Sequence, residues 1–250
     1  MLDGKEVYLG LDVSTKTIGV CLMTDDGTEN GSIIELTHIS PKAPKSIKGT
    51  EELFIKNKMF EEFISKYKDI EIDKVIIEEP LVMSNNAMTV ASLLRFNGMV
   101  SNTIYNLFHI VPAYISSYDA RKYAFPDLMA PRKYGKNENV YPREKIMKEV
   151  TNGKLTLFGS YPWTIDKKAV MQGKVAELFP NIEWIYGKKG ELKKQNFDAT
   201  DAYVAVRGYM NKTKNGELIL TVSNLHEEEK YVVYDVSYWG QTKRRTTYFQ

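Results

Sequence analysis

The stretch from Tyr8 to Gly27, YLGLDVSTKTIGVCLMTDDG, is a run of strand-forming residues interrupted by a single acid, Asp12. A carboxylate placed in an apolar core costs several kcal/mol unless a cation or a set of hydrogen-bond donors meets it. Any fold open to this chain must therefore bring compensating groups to its first strand. Side chains alternate along a strand, so Tyr8, Gly10 and Asp12 share one side, and Leu9, Leu11 and Val13 share the other. Gly10, lacking a side chain, is expected to leave open space beside the acid.

Residues 6–13, 18–24 and 32–39 read as three strands joined by STKT and DDGTENG, whose Asp-Gly and Asn-Gly pairs are hairpin chemistry. After a Pro/Lys/Gly loop, the spacing of Leu53, Phe54, Met59, Phe60, Phe63, Ile64 and Tyr67 predicts a helix from Glu51 to about Lys68. KVIIEEP is a short β-branched strand stopped by Pro80, and SNNAMTVASLLRFNGMVSNTIYNLF a long helix opened by Ser and Asn caps. HIVPAYIS follows as a strand and SSYDARKYAF as a short helix. Residues 126–142 read as a basic loop, and Pro142 suits the first turn of another helix.

Within the aromatic and Lys-rich segment 151–196, DKKAVMQGKVAELF suggests a helix, and NFDATDAYVAVRGYM beyond it reads as another. After Asn215-Gly216, ELILTVSNL and KYVVYDVSYWG have the pattern of a β-hairpin. This order predicts an α/β fold, a mixed sheet with helices on its faces. It divides the chain into a domain over 1–212, carrying the 151–196 segment as an insertion, and a hairpin extension over 213–250.

The single cysteine, Cys21, lies in an apolar strand, which excludes an internal disulfide and a cysteine-based zinc cluster. The start, MLDGKEVY, has neither a basic nor an apolar leader region, and no stretch reaches membrane-spanning length. An intracellular protein without a membrane partner is expected. A net charge of only +2 conceals basic segments, PRKYGKNENVYPREK, YGKKGELKK and QTKRR. These suit either a face for a polyanion or ordinary solvated loops.

Two further segments combine an apolar run with acid. At the end of KVIIEEP, Glu78 and Glu79 must point to opposite faces, so only one can join Asp12. In FDATDA, Asp198 and Asp201 stand three apart near a helix start and share a face. Taken singly, each acid has an ordinary explanation as rim, surface or cap. Taken together, they predict a divalent cation shared between carboxylates, and oxygen donors without His or Cys suit Mg²⁺ or Mn²⁺.

In that order, GLDVSTKTIGV, VIIEEP and FDATDAYVAV resemble the three acidic motifs of the RuvC-like Holliday junction resolvases, members of the ribonuclease H-like superfamily. NNAMTVASLLRFNG resembles the helix that follows the second motif, and the likeness spans about residues 6–150 and 196–210. The first motif alone also resembles the phosphate loop of the actin and Hsp70-type ATPases; the third separates the two.

The resemblance implies a ribonuclease H-like fold in which Asp12, Glu78, Asp198 and Asp201 form the catalytic and metal-binding set, with Glu78 preferred over Glu79. Two Mg²⁺ per site are implied, with Mn²⁺ substituting. The family places basic residues beside its site, which implies Lys145 in catalysis and Arg121, Lys122 and Lys145 at phosphate. The neighbouring basic loop adds Arg132, Lys133, Lys136 and Arg143 to the DNA-binding set.

The implied activity is resolution of four-way DNA junctions by a homodimer, in the cytoplasm of a bacterium or of a phage-infected host. The long helix over 85–108, apolar on more than one side, is the expected interface. The chain departs from the bacterial pattern at Pro80-Leu81-Val82, where an aromatic is usual, in the long 151–196 segment and in its C-terminal extension. Alternatives are cleavage of flaps or other branched DNA, junction binding without cleavage, and an actin-like ATPase.

Overall fold

The computed structural model describes residues 4–80, 86–129 and 166–216, and the backbone of three strands between 221 and 248. The first three strands, β1 (Val7–Val13), β2 (Ile18–Thr24) and β3 (Ser32–Ile39), form an antiparallel meander. Helix α1 (Thr50–Ile64) leads to β4 (Lys74–Glu78), which pairs parallel to β1. Helix α2 (Ala87–Phe108) then crosses over to β5 (Ala113–Ile115), parallel to β4. The sheet order is β3-β2-β1-β4-β5. This mixed five-stranded sheet flanked by helices is the α/β architecture expected from the element order.

Among the described residues, the remaining α-helices are α3 (Ser117–Ala124), α4 (Pro126–Met129), α5 (Lys167–Leu178) and α6 (Phe197–Lys214). Where the sequence suggested only loop after residue 125, α4 forms one helical turn, with Pro126 at the first position, where a missing N–H costs nothing. The rest of the basic loop and the helix expected after Pro142 lie outside the described residues.

Each face of the sheet has its own core. On one, Leu9, Leu11, Val20, Leu22, Val75 and Ile77 meet Phe60 and Ile64 of α1 and Phe96, Val100 and Ile104 of α2. Asn86 caps α2, its side chain accepting from the Met88 and Thr89 N–H groups at 3.0 and 3.2 Å. The other side of α2 keeps apolar residues outward: Met88 is 72% exposed and Leu94 44%. On the second face, Tyr8, Cys21, Met23 and Ile76 pack against α3, α5 and α6. Helix α6 is buried throughout from Ala199 to Met210, and it fills the centre of this face.

The expected open space beside Gly10 does not exist. A Cβ on Gly10 would stand 2.5 Å from the Ala202 carbonyl oxygen, and one on Gly19 would run into the backbone of Asp198. Across β1 and β2, Gly19 stands directly opposite Asp12, and Gly10 lies two residues back along β1, opposite Cys21. Here the absent side chains serve to seat α6 directly on the sheet. The glycines set how near the helix, and the acids it carries, can come to Asp12.

At the C-terminus, the expected hairpin is replaced by a three-stranded antiparallel sheet of β6 (Thr221–Glu228), β7 (Tyr231–Tyr238) and β8 (Gln241–Tyr248). The third strand, QTKRRTTY, has no apolar alternation to betray it; pairing with β7, from Tyr231 opposite Tyr248 to Tyr238 opposite Gln241, makes it a strand. Among the described residues, no helix is long and apolar enough to cross a membrane.

Candidate active site

Asp12 is the penultimate residue of β1, and Glu78 the last of β4. The two strands are parallel neighbours with Gly10 beside Ile76 and Leu11 beside Ile77, so the next step of the register sets Asp12 next to Glu78. Both lie on the face that carries Gly10 and Ile76, the face covered by α6. Glu79 is exposed on the other parity, and its backbone N–H bonds the Ile115 carbonyl at 2.8 Å. Of the two acids that the sequence left as candidates, Glu78 is the one that shares a face with Asp12.

Helix α6 delivers the other two. Asp201 is only 2% exposed, and its charge acts on both Asp12 and Glu78. Asp198, one turn earlier, acts on Asp12 and accepts a hydrogen bond from the Thr17 hydroxyl. Thr17 ends the β1–β2 turn, in which the Ser14 hydroxyl accepts from the Thr17 N–H at 3.1 Å and donates to its carbonyl at 2.9 Å. From below, the buried Lys56 of α1 donates to the Thr15 carbonyl at 2.8 Å and pairs with Glu52 at 2.6 Å. The turn that positions Asp198 is thus anchored to the opposite layer.

The crowding of these acids shifts their protonation. Burial, then the Asp201 and Asp198 charges, push the Asp12 carboxyl up to about 7, against the pull of Lys168 and Arg121. Glu78 is held well above the usual carboxylate range by burial first, then by Asp12 and Asp201, with Arg121 and Lys168 opposing. Strong mutual perturbation of this kind marks a cluster short of positive charge.

Among the described residues, two cations face it. Arg121, half-buried on α3, lies among the expected DNA-binding residues; Lys168, at the start of α5, was not singled out from the sequence. The Lys168 ammonium donates a hydrogen bond to the Asp201 carboxylate. Burial opposes that ammonium, yet Asp201, with Asp12 and Glu78, outweighs the penalty and raises its pKa. Lys122, also expected near phosphate, donates to Tyr123, with Nζ 3.1 Å from the phenolic oxygen. Lys145, Arg132, Lys133, Lys136 and Arg143 lie outside the described residues.

The donor set fits a hard divalent cation in chemistry and charge: carboxylates only, no His or Cys, and a surplus of repulsion that such an ion would remove. Asp12, Glu78, Asp198 and Asp201 are the residues that would hold it. Their side chains are nevertheless not gathered as ligands. Among the described residues, no three acidic, His or Cys side chains close on a single point as they do around a metal. Lys168 engages Asp201, and Thr17 engages Asp198.

The chain matches no family model and no curated protein. Among solved structures, Thermus thermophilus RuvC is similar over 85% of this chain and 98% of its own, at 12% identity and a TM-score of 0.48. The T. thermophilus RuvC complex with Holliday junction substrate covers 86% and 98% at 9% identity and a TM-score of 0.47. A PPX-GPPA enzyme of Aquifex aeolicus covers 84% and 92% at 10% identity and a TM-score of 0.35. Likenesses this remote, to a nuclease fold and to an actin-like fold alike, say nothing of activity. What the chain does has to come from its own side chains.

Proposed function

We propose that the chain is a Mg²⁺-dependent endonuclease of branched DNA, cutting four-way junctions as a homodimer by hydrolysing one phosphodiester in each of two strands. The observation that carries this reading is the convergence of acids from three separate segments, Asp12, Glu78 and the Asp198/Asp201 pair, on one face at the ends of β1 and β4. A cation bound there supplies charge neutralisation at phosphorus and a nucleophilic water at neutral pH.

The chain's own residues do the positioning. Asp12 and Glu78 are fixed at the ends of hydrogen-bonded central strands, where backbone movement is smallest. Asp201 is immobilised in a buried helix whose N-terminal end carries a partial positive charge that favours carboxylates. Thr17 orients Asp198. Arg121 places positive charge beside the acids, where a non-bridging phosphate oxygen of the substrate would need it. Longer-range affinity for DNA would come from Lys and Arg contacts to phosphate and would fall steeply with salt.

A junction presents two equivalent strands, so one site per chain calls for two chains related by a two-fold axis. The outward apolar residues of α2, Met88 and Leu94 among them, are available for that contact. The test is a panel of labelled substrates (four-way junction, flap, fork and RNA–DNA hybrid) incubated with the purified protein and Mg²⁺. The expected result is paired, symmetric nicks in the junction, leaving 5′-phosphate and 3′-hydroxyl ends, with a dimeric mass by light scattering. Preferred cleavage of flaps by a monomer would overturn the junction assignment while leaving the nuclease site in place.

A further inference from the structure

The cation seated among the acids is a lysine with an unusual position. Asp201 is 2% exposed and cannot leave the cluster, because it projects from a helix buried throughout from Ala199 to Met210. The side chain of Lys168 is 43% exposed and stands in the first turn of α5, on a different element, so its ammonium can swing into water. One partner is fixed and the other is free to leave. An ion pair whose only task is to tie α5 to α6 has no need of this asymmetry, since Val170, Met171 and Val175 already pack α5 into the same core as α6.

The charge balance points the same way. When Asp12, Glu78, Asp198 and Asp201 are all ionised, four negative charges face, among the described residues, the two positive charges of Arg121 and Lys168. One divalent cation would close that deficit; a second, added with Lys168 still in place, would leave the site two charges positive. Withdrawal of Lys168 and arrival of a singly charged phosphodiester together restore neutrality. Donor geometry agrees, because Lys168 occupies one of the two Asp201 oxygens through which that carboxylate could hold a metal.

From these observations we infer that Lys168 is a displaceable counter-ion: it holds Asp201 while no metal is bound and competes directly with the divalent cation for that carboxylate. This rests on the metal-site reading above and goes beyond it, since it assigns a role to a residue that neither composition nor motif pointed to. In the metal-free protein Lys168 keeps the buried acids from driving each other apart. On metal binding its ammonium leaves Asp201 for water, which its 43% exposed side chain already reaches.

The test is Mn²⁺ binding to the full chain without DNA, followed by calorimetry and by the electron paramagnetic resonance of free Mn²⁺. Thermal melts in EDTA and in saturating Mn²⁺ run alongside. A charge-assisted hydrogen bond to a buried carboxylate is strong enough that its loss should tighten Mn²⁺ binding about tenfold in Lys168→Met and Lys168→Gln. Both variants should melt below wild type in EDTA and regain most of that difference in Mn²⁺, while Lys168→Arg, which keeps the competing charge, should bind Mn²⁺ much as wild type does. Equal or weaker Mn²⁺ binding by Lys168→Met and Lys168→Gln would overturn the inference and make Lys168 a plain tether or a partner of the metal. Absence of Mn²⁺ binding in wild type and in every variant would remove the metal site itself, and the inference with it.

Discussion

The two faces of the central sheet are made by the same strands and differ by one residue of phase. Leu9, Leu11, Val75 and Ile77 point to α1 and α2 and bury only hydrocarbon; Tyr8, Gly10, Asp12, Ile76 and Glu78 point to α6 and end in carboxylates. The first face is free to maximise apolar burial. The second gives up that option at the ends of β1 and β4, where burial itself raises the Asp12 and Glu78 carboxyls. One layer holds the strands still so that the other can keep like charges close together, which is how a fold maintains a site that is unfavourable in isolation.

If the division of labour holds, substitutions on the two faces should separate activity from stability. The largest effect is expected for Asp201→Asn, which removes the buried acid acting on both Asp12 and Glu78: nicking should fall at least ~100-fold in single-turnover assays, with the melting temperature kept or raised. Leu11→Ala on the opposite face should do the reverse. It should cost about 2–5 kcal/mol in urea unfolding through the cavity it leaves, while the folded fraction cuts at nearly the wild-type rate. A strong loss of specific activity in Leu11→Ala would show that the faces are not separable.

Proton linkage gives the next effect. Because the folded metal-free chain holds Asp12 protonated up to about 7, it binds a proton that the unfolded chain has already released. Stability in EDTA should therefore fall as pH rises from about 4 to about 7, by up to roughly 4 kcal/mol. Asp12→Asn should flatten that slope, as measured by urea melts across the range. Gly19→Ala drives a methyl group into the Asp198 backbone and should cost about 1–3 kcal/mol. It should also impair nicking more than its stability loss explains, because it lifts the acid-bearing end of α6. Smallest of all, Glu79→Gln should change nicking less than about twofold while Glu78→Gln is severely impaired, since only Glu78 lies on the α6 face. The opposite ranking would put the register of β4 one residue out.

How much of this could be read in the chain depended on the period of the signal. Strand alternation placed Asp12 on one face with Gly10, and the three-residue spacing of Asp198 and Asp201 placed both on one side of a helix; these are local regularities, and the backbone honours them. Gly10 was misread because a glycine in a strand leaves room for whatever packs there, and the sequence does not say that a helix backbone will fill it. Lys168 was invisible for a related reason. It is one of two adjacent lysines, Lys167 and Lys168, and which of them meets Asp201 is set by how α5 docks on α6, a contact between residues 33 apart in sequence. Thr17 on Asp198 spans 181 residues and left no local trace. The strand β8 escaped because its polar run shows no alternation at all.

The proposed metal-dependent nuclease site, four acids on the α6 face, stands or falls on a single comparison. Purified wild type and Asp12→Asn are incubated with a fixed four-way junction and millimolar Mg²⁺, and cleavage is mapped at nucleotide resolution beside a gel-shift measurement of binding in EDTA. Wild type is expected to nick in a Mg²⁺-dependent way and Asp12→Asn not at all, with equal junction binding by both, since the amide keeps the volume and removes only the charge. Near-normal Mg²⁺-dependent cleavage by Asp12→Asn would contradict the proposed site.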